Sequence, residues 1–138
     1  MFNFYAPLNN KTSYGLVATN LIENFSQTCP SFPIGGQSGV ITKKIAASLM
    51  AARTFNANDP CVKLYHQFAM AEFIGKGPHI GLPIFELDKF SDIEEHHLYS
   101  LDGLIVTSKW AARVVENNLK HVPDVVPVGV YRSILHEV

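Results

Sequence analysis

A chain of 138 residues, 47% hydrophobic and 17% charged, has the size and balance of one ordinary globular domain with a core of its own. A formal charge of −1 supplies no basic field for a nucleic-acid backbone, and no apolar run approaches the ~18 residues that a membrane helix needs. The start, MFNFYAPLNNKTSYG, lacks a positive segment followed by an apolar stretch, which predicts a cytoplasmic protein without a membrane span.

In chain order, FNFYA (Phe2 to Ala6) predicts a first strand and LNNKTS a loop. From Gly15 onward Val17, Ala18, Leu21, Ile22 and Phe25 recur at helical spacing. Phe32 to Ile34 predicts a short strand that ends in the GGQSG loop. A second helix follows on Ile41, Ile45, Leu49 and Ala52, with Ala46 and Met50 beside them. Asp59-Pro60 breaks the chain before the strand CVKLYH, Cys61 to His66, and a less regular segment runs on to Pro78. IGLPIFE is the next strand, and its Pro83 predicts an edge or irregular position. Ser91 and Glu94 have the spacing of a capping box and start a third helix. GLIVTS is a strand whose Ser108 caps KWAARVVENNL, where Trp110, Ala111, Val114, Val115 and Leu119 form a buried stripe. DVVPVGV is the last strand. Strands alternating with helices of about ten residues predict a single-domain α/β fold, a doubly wound, mainly parallel, Rossmann-like sheet.

Such sheets bind ligands beyond the carboxyl ends of their strands. That rule selects the Pro7 to Gly15 loop, the Gly35 to Gly39 loop, His66-Gln67, Glu86-Leu87-Asp88 and Thr107-Ser108-Lys109. No phosphate-binding G-x-x-x-x-G-K-[ST] or G-x-G-x-x-G occurs, and GGQSG reads as a turn. Gly15, at a helix start, is either a plain junction or a place where backbone N–H groups meet an anion. The run EEHH, Glu94 to His97, cannot converge on one ion, because consecutive helical residues project about 100° apart. In that helix His97 shares a stripe with Ile93 and Leu101, and His96 and the glutamates are expected to face solvent. His66 ends a strand either as a structural histidine or as a group that binds a hydroxyl or relays a proton. Cys61, five residues earlier on the same strand, points to the other face, so the two form no Cys-His dyad. Cys61 and Cys29, far apart and outside any C-x-x-C, read as buried free thiols. Glu86 and Asp88 are either a solvated strand end or carboxylates placed to act as a base, to accept hydroxyl hydrogen bonds or to stabilise positive charge.

The motifs IGLPIFELDKF, LDGLIVTSKWAARVV and VPDVVPVGV, in this order, resemble the N-terminal domain of GT-B-fold glycosyltransferases of the large retaining family, and APLNNKTSYGLVATNLIENF resembles that family's first strand, glycine-containing loop and first helix. In the final motif Val128 and Tyr131 stand where the family commonly has His or Asn and Asp. The resemblance implies transfer of a sugar from a nucleotide sugar to a hydroxyl of a sugar or lipid acceptor, with no cofactor and no catalytic metal. It implies Glu86 as the active-site carboxylate. Tyr14 and Gly15 fall on the loop that approaches the donor phosphates, and His66, Asp88, Ser108 and Lys109 on the rim of the cleft. It also places the crossing to a second, donor-binding domain near Val138, so that the chain alone is expected to be incomplete for catalysis and to act with a separate donor-binding half. The other reading is a non-catalytic module that keeps the fold and uses the same face for binding or for forming a homodimer. A third reading, an unrelated flavodoxin-like or receiver-like α/β domain, is disfavoured, because a receiver needs acidic residues at its strand ends and the first strand here ends in Ala6-Pro7.

Overall fold

The computed structural model describes residues 1–9 and 11–127. Its elements are β1 (Asn3–Ala6), α1 (Ser13–Asn24), β2 (Ser31–Pro33), α2 (Lys43–Ala51), β3 (Cys61–His66), β4 (His79–Ile84), α3 (Asp92–Tyr99), β5 (Gly103–Val106), α4 (Lys109–Leu119) and β6 (Asp124–Val125). The six strands form one sheet in the order β2-β1-β3-β4-β5-β6, and every pairing is parallel. This is the α/β, doubly wound architecture that the alternating pattern predicts. The segment from Val128 to Tyr131, with the expected turn after the last strand, lies outside the described residues.

Side chains alternate across each strand, and the register shows where each face goes. Phe4, Ala6, Val62, Leu64, Leu82 and Ile84 point to the face covered by α1 and α2, against Ala18, Ile22 and Ile45. Leu104 and Val106 point to the opposite face, against Leu98 of α3 and Ala111, Val114, Val115 and Leu119 of α4. Phe4, Leu64 and Val115 are fully buried, each stabilising the fold by about 1.5–3 kcal/mol relative to an exposed side chain. Cys29 and Cys61 are buried free thiols. Desolvation pushes the Cys29 thiol up to about 12 and the Cys61 thiol in the same direction, so neither supplies a thiolate near neutrality.

All four helices start on a hydroxyl cap: Thr12 accepts from the Gly15 N–H, Thr42 from Ile45, Ser91 from Glu94 and Ser108 from Ala111, at 3.1–3.2 Å. The caps at Ser91 and Ser108 are the two expected from sequence. Thr42 starts α2 later than the apolar pattern does, which leaves Ile41 exposed ahead of the helix, and Met50 is exposed near its end. Trp110 is likewise not part of the buried stripe of α4, being 42% exposed at the first turn.

Of the two positions expected for Pro83, the edge is excluded, because β4 lies between β3 and β5, and the irregular one is found. The Cys61 N–H donates to Pro78 and the Asp102 N–H to His79. By the alternation of a parallel ladder, Pro83 therefore shares the side of His79, towards β5. The β4–β5 pairing ends at Gly81 with Leu104, so proline removes a donor where that ladder has already stopped.

The connection from β3 to β4 departs from the helical crossovers elsewhere. It runs through residues 67–78 with only a 3-10 turn at Gln67–Ala69. Lys63 replaces part of what a helix would supply: 4% exposed on the β3 face beneath this segment, it donates from Nζ to the carbonyls of Ala69 (2.5 Å) and Glu72 (2.8 Å). Its ammonium also lies 4.8 Å from the centre of the Tyr5 ring.

Candidate functional site

In this strand order the winding reverses between β1 and β3, so the crevice that a doubly wound sheet offers a ligand opens at the carboxyl ends of those two strands. The loop after β1 and the residues after β3 meet there. Thr12 caps α1 so that Tyr14 lies in its first turn. The Tyr14 ring meets the His66 ring edge-on, with centres 4.5 Å apart, and lies 6.1 Å from the Tyr65 ring. On its other side His66 stacks on Phe68, with centres 5.0 Å apart and planes 16° from parallel. Phe68 is 59% exposed. Four aromatic rings, those of Tyr14, Tyr65, His66 and Phe68, thus cluster at the carboxyl end of β3, and two of them, Tyr65 and Phe68, carry no signal in the sequence that distinguishes them from core residues.

Gly15 is buried, and its role is visible in what surrounds it. A β-carbon there would collide with the carbonyl oxygen of Asn9 and press on the Thr12 hydroxyl. Glycine lets the first turn of α1 close onto the preceding loop, and its N–H is engaged by Thr12 Oγ1 at 3.1 Å. The Gly35 to Gly39 loop is drawn to the same end: the Ser38 N–H donates to Leu8, and Asn9 bridges to Ser38.

The other selected residues follow along the same edge. Ile84, the last residue of β4, pairs with His66, and Glu86 lies exposed two residues beyond it, with Asp88 also exposed. Phe85 turns inward, 5.0 Å from Phe90 and 5.9 Å from Trp110 between ring centres. Asn118 of α4 holds this loop from behind. Its Nδ2 donates to the Asp88 carbonyl (3.0 Å), and its Oδ1 accepts from the Phe90 N–H (3.1 Å). Ser108 spends its hydroxyl on the α4 cap, while Lys109 is exposed beside it. The sequence-selected residues thus form two adjoining groups: Tyr14, Gly15 and His66 at the crevice, and Glu86, Asp88, Ser108 and Lys109 at the β4 and β5 ends. Asn118 and Lys63, which position the loops, were not legible as such.

The run EEHH lies away from this edge. Glu95 and His96, with Asp92, Tyr99 and Asn118, line a groove of about 350 Å³ between α3 and α4. Glu94 and His97 turn partly inward, each with an enclosed polar atom lacking a hydrogen-bond partner among the described residues, so the glutamates are not all solvent-facing. A smaller concavity of about 90 Å³ lies among Ile22, Phe25, Lys44 and Ser48. Neither concavity reaches the strand ends. Among the described residues no three His, Cys, Asp or Glu side chains gather as metal ligands, and no helix is long and apolar enough to cross a membrane.

Chemically, the edge combines aromatic faces with exposed carboxylates and the exposed ammonium groups of Lys11, Lys89 and Lys109. Aromatic faces and carboxylates suit a neutral, hydroxyl-rich ring, and the ammonium groups suit an anion. Comparison with protein-family models, with curated proteins and with solved structures found no match.

Proposed function

We propose that the domain is the acceptor-side half of a retaining glycosyltransferase, moving a sugar from a nucleotide sugar to an acceptor hydroxyl when a donor-binding half closes over the carboxyl edge of its sheet. The observation that carries this reading is the contact of Tyr14 with His66 at the reversal of winding, with Glu86 on the next strand end. In this scheme the nucleoside diphosphate leaves the sugar, with Lys109 and the positive ends of helices favouring the departing charge. Glu86 orients the acceptor hydroxyl or stabilises the positive sugar on the side facing this domain.

The exposed apolar groups at this edge support a closing partner. Leu16, Val40, Ile41, Phe68, Trp110 and Val126 all lie at the carboxyl ends of strands or the helix starts that follow them. The same exposure favours the second reading, in which a further copy of the chain covers this face and no transfer occurs.

Calorimetric titration with a panel of nucleotide sugars, with sedimentation on the same samples, separates the two. The transferase reading expects binding of a nucleotide sugar that is weakened by Tyr14→Ala. A dimer that binds none of them, and whose mass falls to that of a monomer on Trp110→Ser, overturns it.

A further inference from the structure

We propose that Phe68, backed by His66, is a stacking platform for a pyranose ring, and that Glu86 receives hydroxyls of the same ring. The inference rests on the transferase reading only for naming that ring as the acceptor; the binding itself stands on geometry. Three observations combine. The Phe68 ring is stacked face to face on His66, and it is 59% exposed, so its outer face is presented to solvent at the crevice. A large apolar ring held flat and open at a ligand crevice is a surface to which a flat apolar face adds with little reordering.

The platform is also braced. The 3-10 turn that carries Phe68 is anchored from beneath by buried Lys63, whose Nζ donates to the carbonyl of Ala69, the residue after Phe68. Gln67, immediately before Phe68, is buried. An exposed phenylalanine on a loose loop would pay an ordering cost on binding, and this one is fixed on both sides.

The polar partner lies on the neighbouring strand end. His66 pairs with Ile84 and strands in a sheet lie about 4.8 Å apart, so the segments that carry Phe68 and Glu86, each two residues further on, leave adjacent strand ends side by side. The polar groups at this edge select among flat ligands. Glu86 and Asp88 are both exposed carboxylates on the neighbouring strand end, with Lys89 exposed beside them, and the carboxylates accept hydrogen bonds from the neutral hydroxyls that a sugar ring carries around its edge and a nucleobase lacks. A sugar ring is favoured over a nucleobase.

The test is an NMR titration of the full chain with methyl α-glucopyranoside, methyl α-mannopyranoside, methyl β-galactopyranoside and, separately, UMP and a matching nucleotide sugar. At least one methyl glycoside is expected to bind in the millimolar range, shifting His66 and Phe68 resonances and showing saturation transfer from their ring protons. Phe68→Ala and Phe68→Leu should each weaken it about five- to ten-fold, as loss of one aromatic contact does, while Phe68→Trp retains it. Because Phe68 is exposed, these variants are expected to keep the parent melting temperature. Glu86→Gln should weaken the glycosides and leave UMP unaffected.

The proposal is overturned if no glycoside binds, if Phe68→Leu binds as well as the parent, or if UMP is the ligand that loses affinity on Phe68→Ala. Nucleotide-sugar binding without glycoside binding removes the platform and leaves the transferase reading standing. Glycoside binding that depends on Phe68, with no nucleotide-sugar binding, keeps the platform and counts against the transferase.

Discussion

At the amino end of the sheet the chain closes on itself. His79 and Asp102 exchange hydrogen bonds, the His79 N–H to the Asp102 carboxylate (2.8 Å) and the Asp102 N–H to the His79 carbonyl (2.9 Å). Asn3 donates to the Asn56 carbonyl, the Ala57 carbonyl accepts from Lys76 and Gly77, and the Phe73 ring lies flat on His79 at 4.5 Å. At the carboxyl end, Glu86, Asp88 and Lys109 are exposed, and none pairs its charge with another described residue, while Phe68 and Trp110 present rings to solvent. Apart from the buried Asn3 Oδ1, which has no partner among the described residues, the polar groups named at the first end bond to one another, while those named at the second stay in solvent, the contrast that a sheet binding at its carboxyl edge would show.

The sharpest way to break this contrast is at the closed end. A β-carbon on Gly77 would collide with the carbonyl oxygens of Asp59 and Asn58, both backbone atoms that cannot swing away. Gly77→Val is expected to destabilise the protein by about 3 kcal/mol, the upper range for overpacking, read as a lowered denaturant midpoint. A loss under about 1 kcal/mol would mean that the two connections meeting there do not need to touch.

Next in size is Lys63, which belongs to neither end but braces the only crossover among β3, β4 and β5 that lacks an α-helix. Lys63→Met keeps the stem and removes the donor to two carbonyls, and should cost about 2 kcal/mol, since charged hydrogen bonds are lost while the desolvation of the ammonium is relieved. Native-state hydrogen exchange should accelerate over residues 67–73. The pH dependence carries the same signature. Burial lowers the Lys63 pKa from its ordinary 10.5, against a weaker opposing pull from Glu72. The unfolded chain then holds that proton more tightly, and the contribution of Lys63 rises as pH climbs from its folded-state pKa to 10.5. Cys29 works in the other direction: with its pKa raised from 9.0 to about 12, its contribution is complete below pH 9 and is lost as pH rises towards 12. The difference in stability between parent and Lys63→Met cancels Cys29 but not Cys61, whose thiol the Lys63 charge pulls down, and should grow with pH below the range where that thiol titrates.

Lys63 also marks how far a sequence of this kind can be read. Continuous apolar runs such as CVKLYH and GLIVTS, alternating with capped helical stripes, carry the sheet and its winding, and the rule that ligands sit at strand ends places Tyr14, His66 and Glu86 on one edge. A lysine inside a strand does not announce that it is buried, because the acceptors that permit it are carbonyls six and nine residues away. Pro83 is legible only in part for a related reason: the sequence offers an edge or an irregular position, and where the β4–β5 ladder stops decides between them. Phe68 and Trp110 read as core by composition, and only the surroundings of each ring show that one face is left open.

Asn118 reaches from α4, whose other face is buried, to the loop after Glu86. Asn118→Ala removes its bonds to Asp88 and Phe90 and should cost about 1 kcal/mol, with faster exchange of the Phe90 amide. If the transferase reading holds, the same change in a complete enzyme is expected to lower turnover by loosening Glu86 while leaving nucleotide-sugar affinity in place, a split that a purely structural role would not produce.

The smallest effect on stability, and the one that bears most on function, is at Glu86 itself. The carboxylate is exposed and unpaired among the described residues, so Glu86→Gln replaces a solvated group with one of equal size and should leave the midpoint of unfolding unchanged within about 0.5 kcal/mol. If the open edge is for transfer, the same substitution in a complete enzyme should lower turnover by about 10²-fold or more, because an amide can neither stabilise positive charge nor accept a proton. Normal turnover would return Glu86 to a solvated strand end and move the chemistry elsewhere on this edge. A large loss of stability would be equally informative, since a charge that holds the fold together belongs with Asp102 at the closed end, and the contrast between the two edges would no longer separate stability from contact.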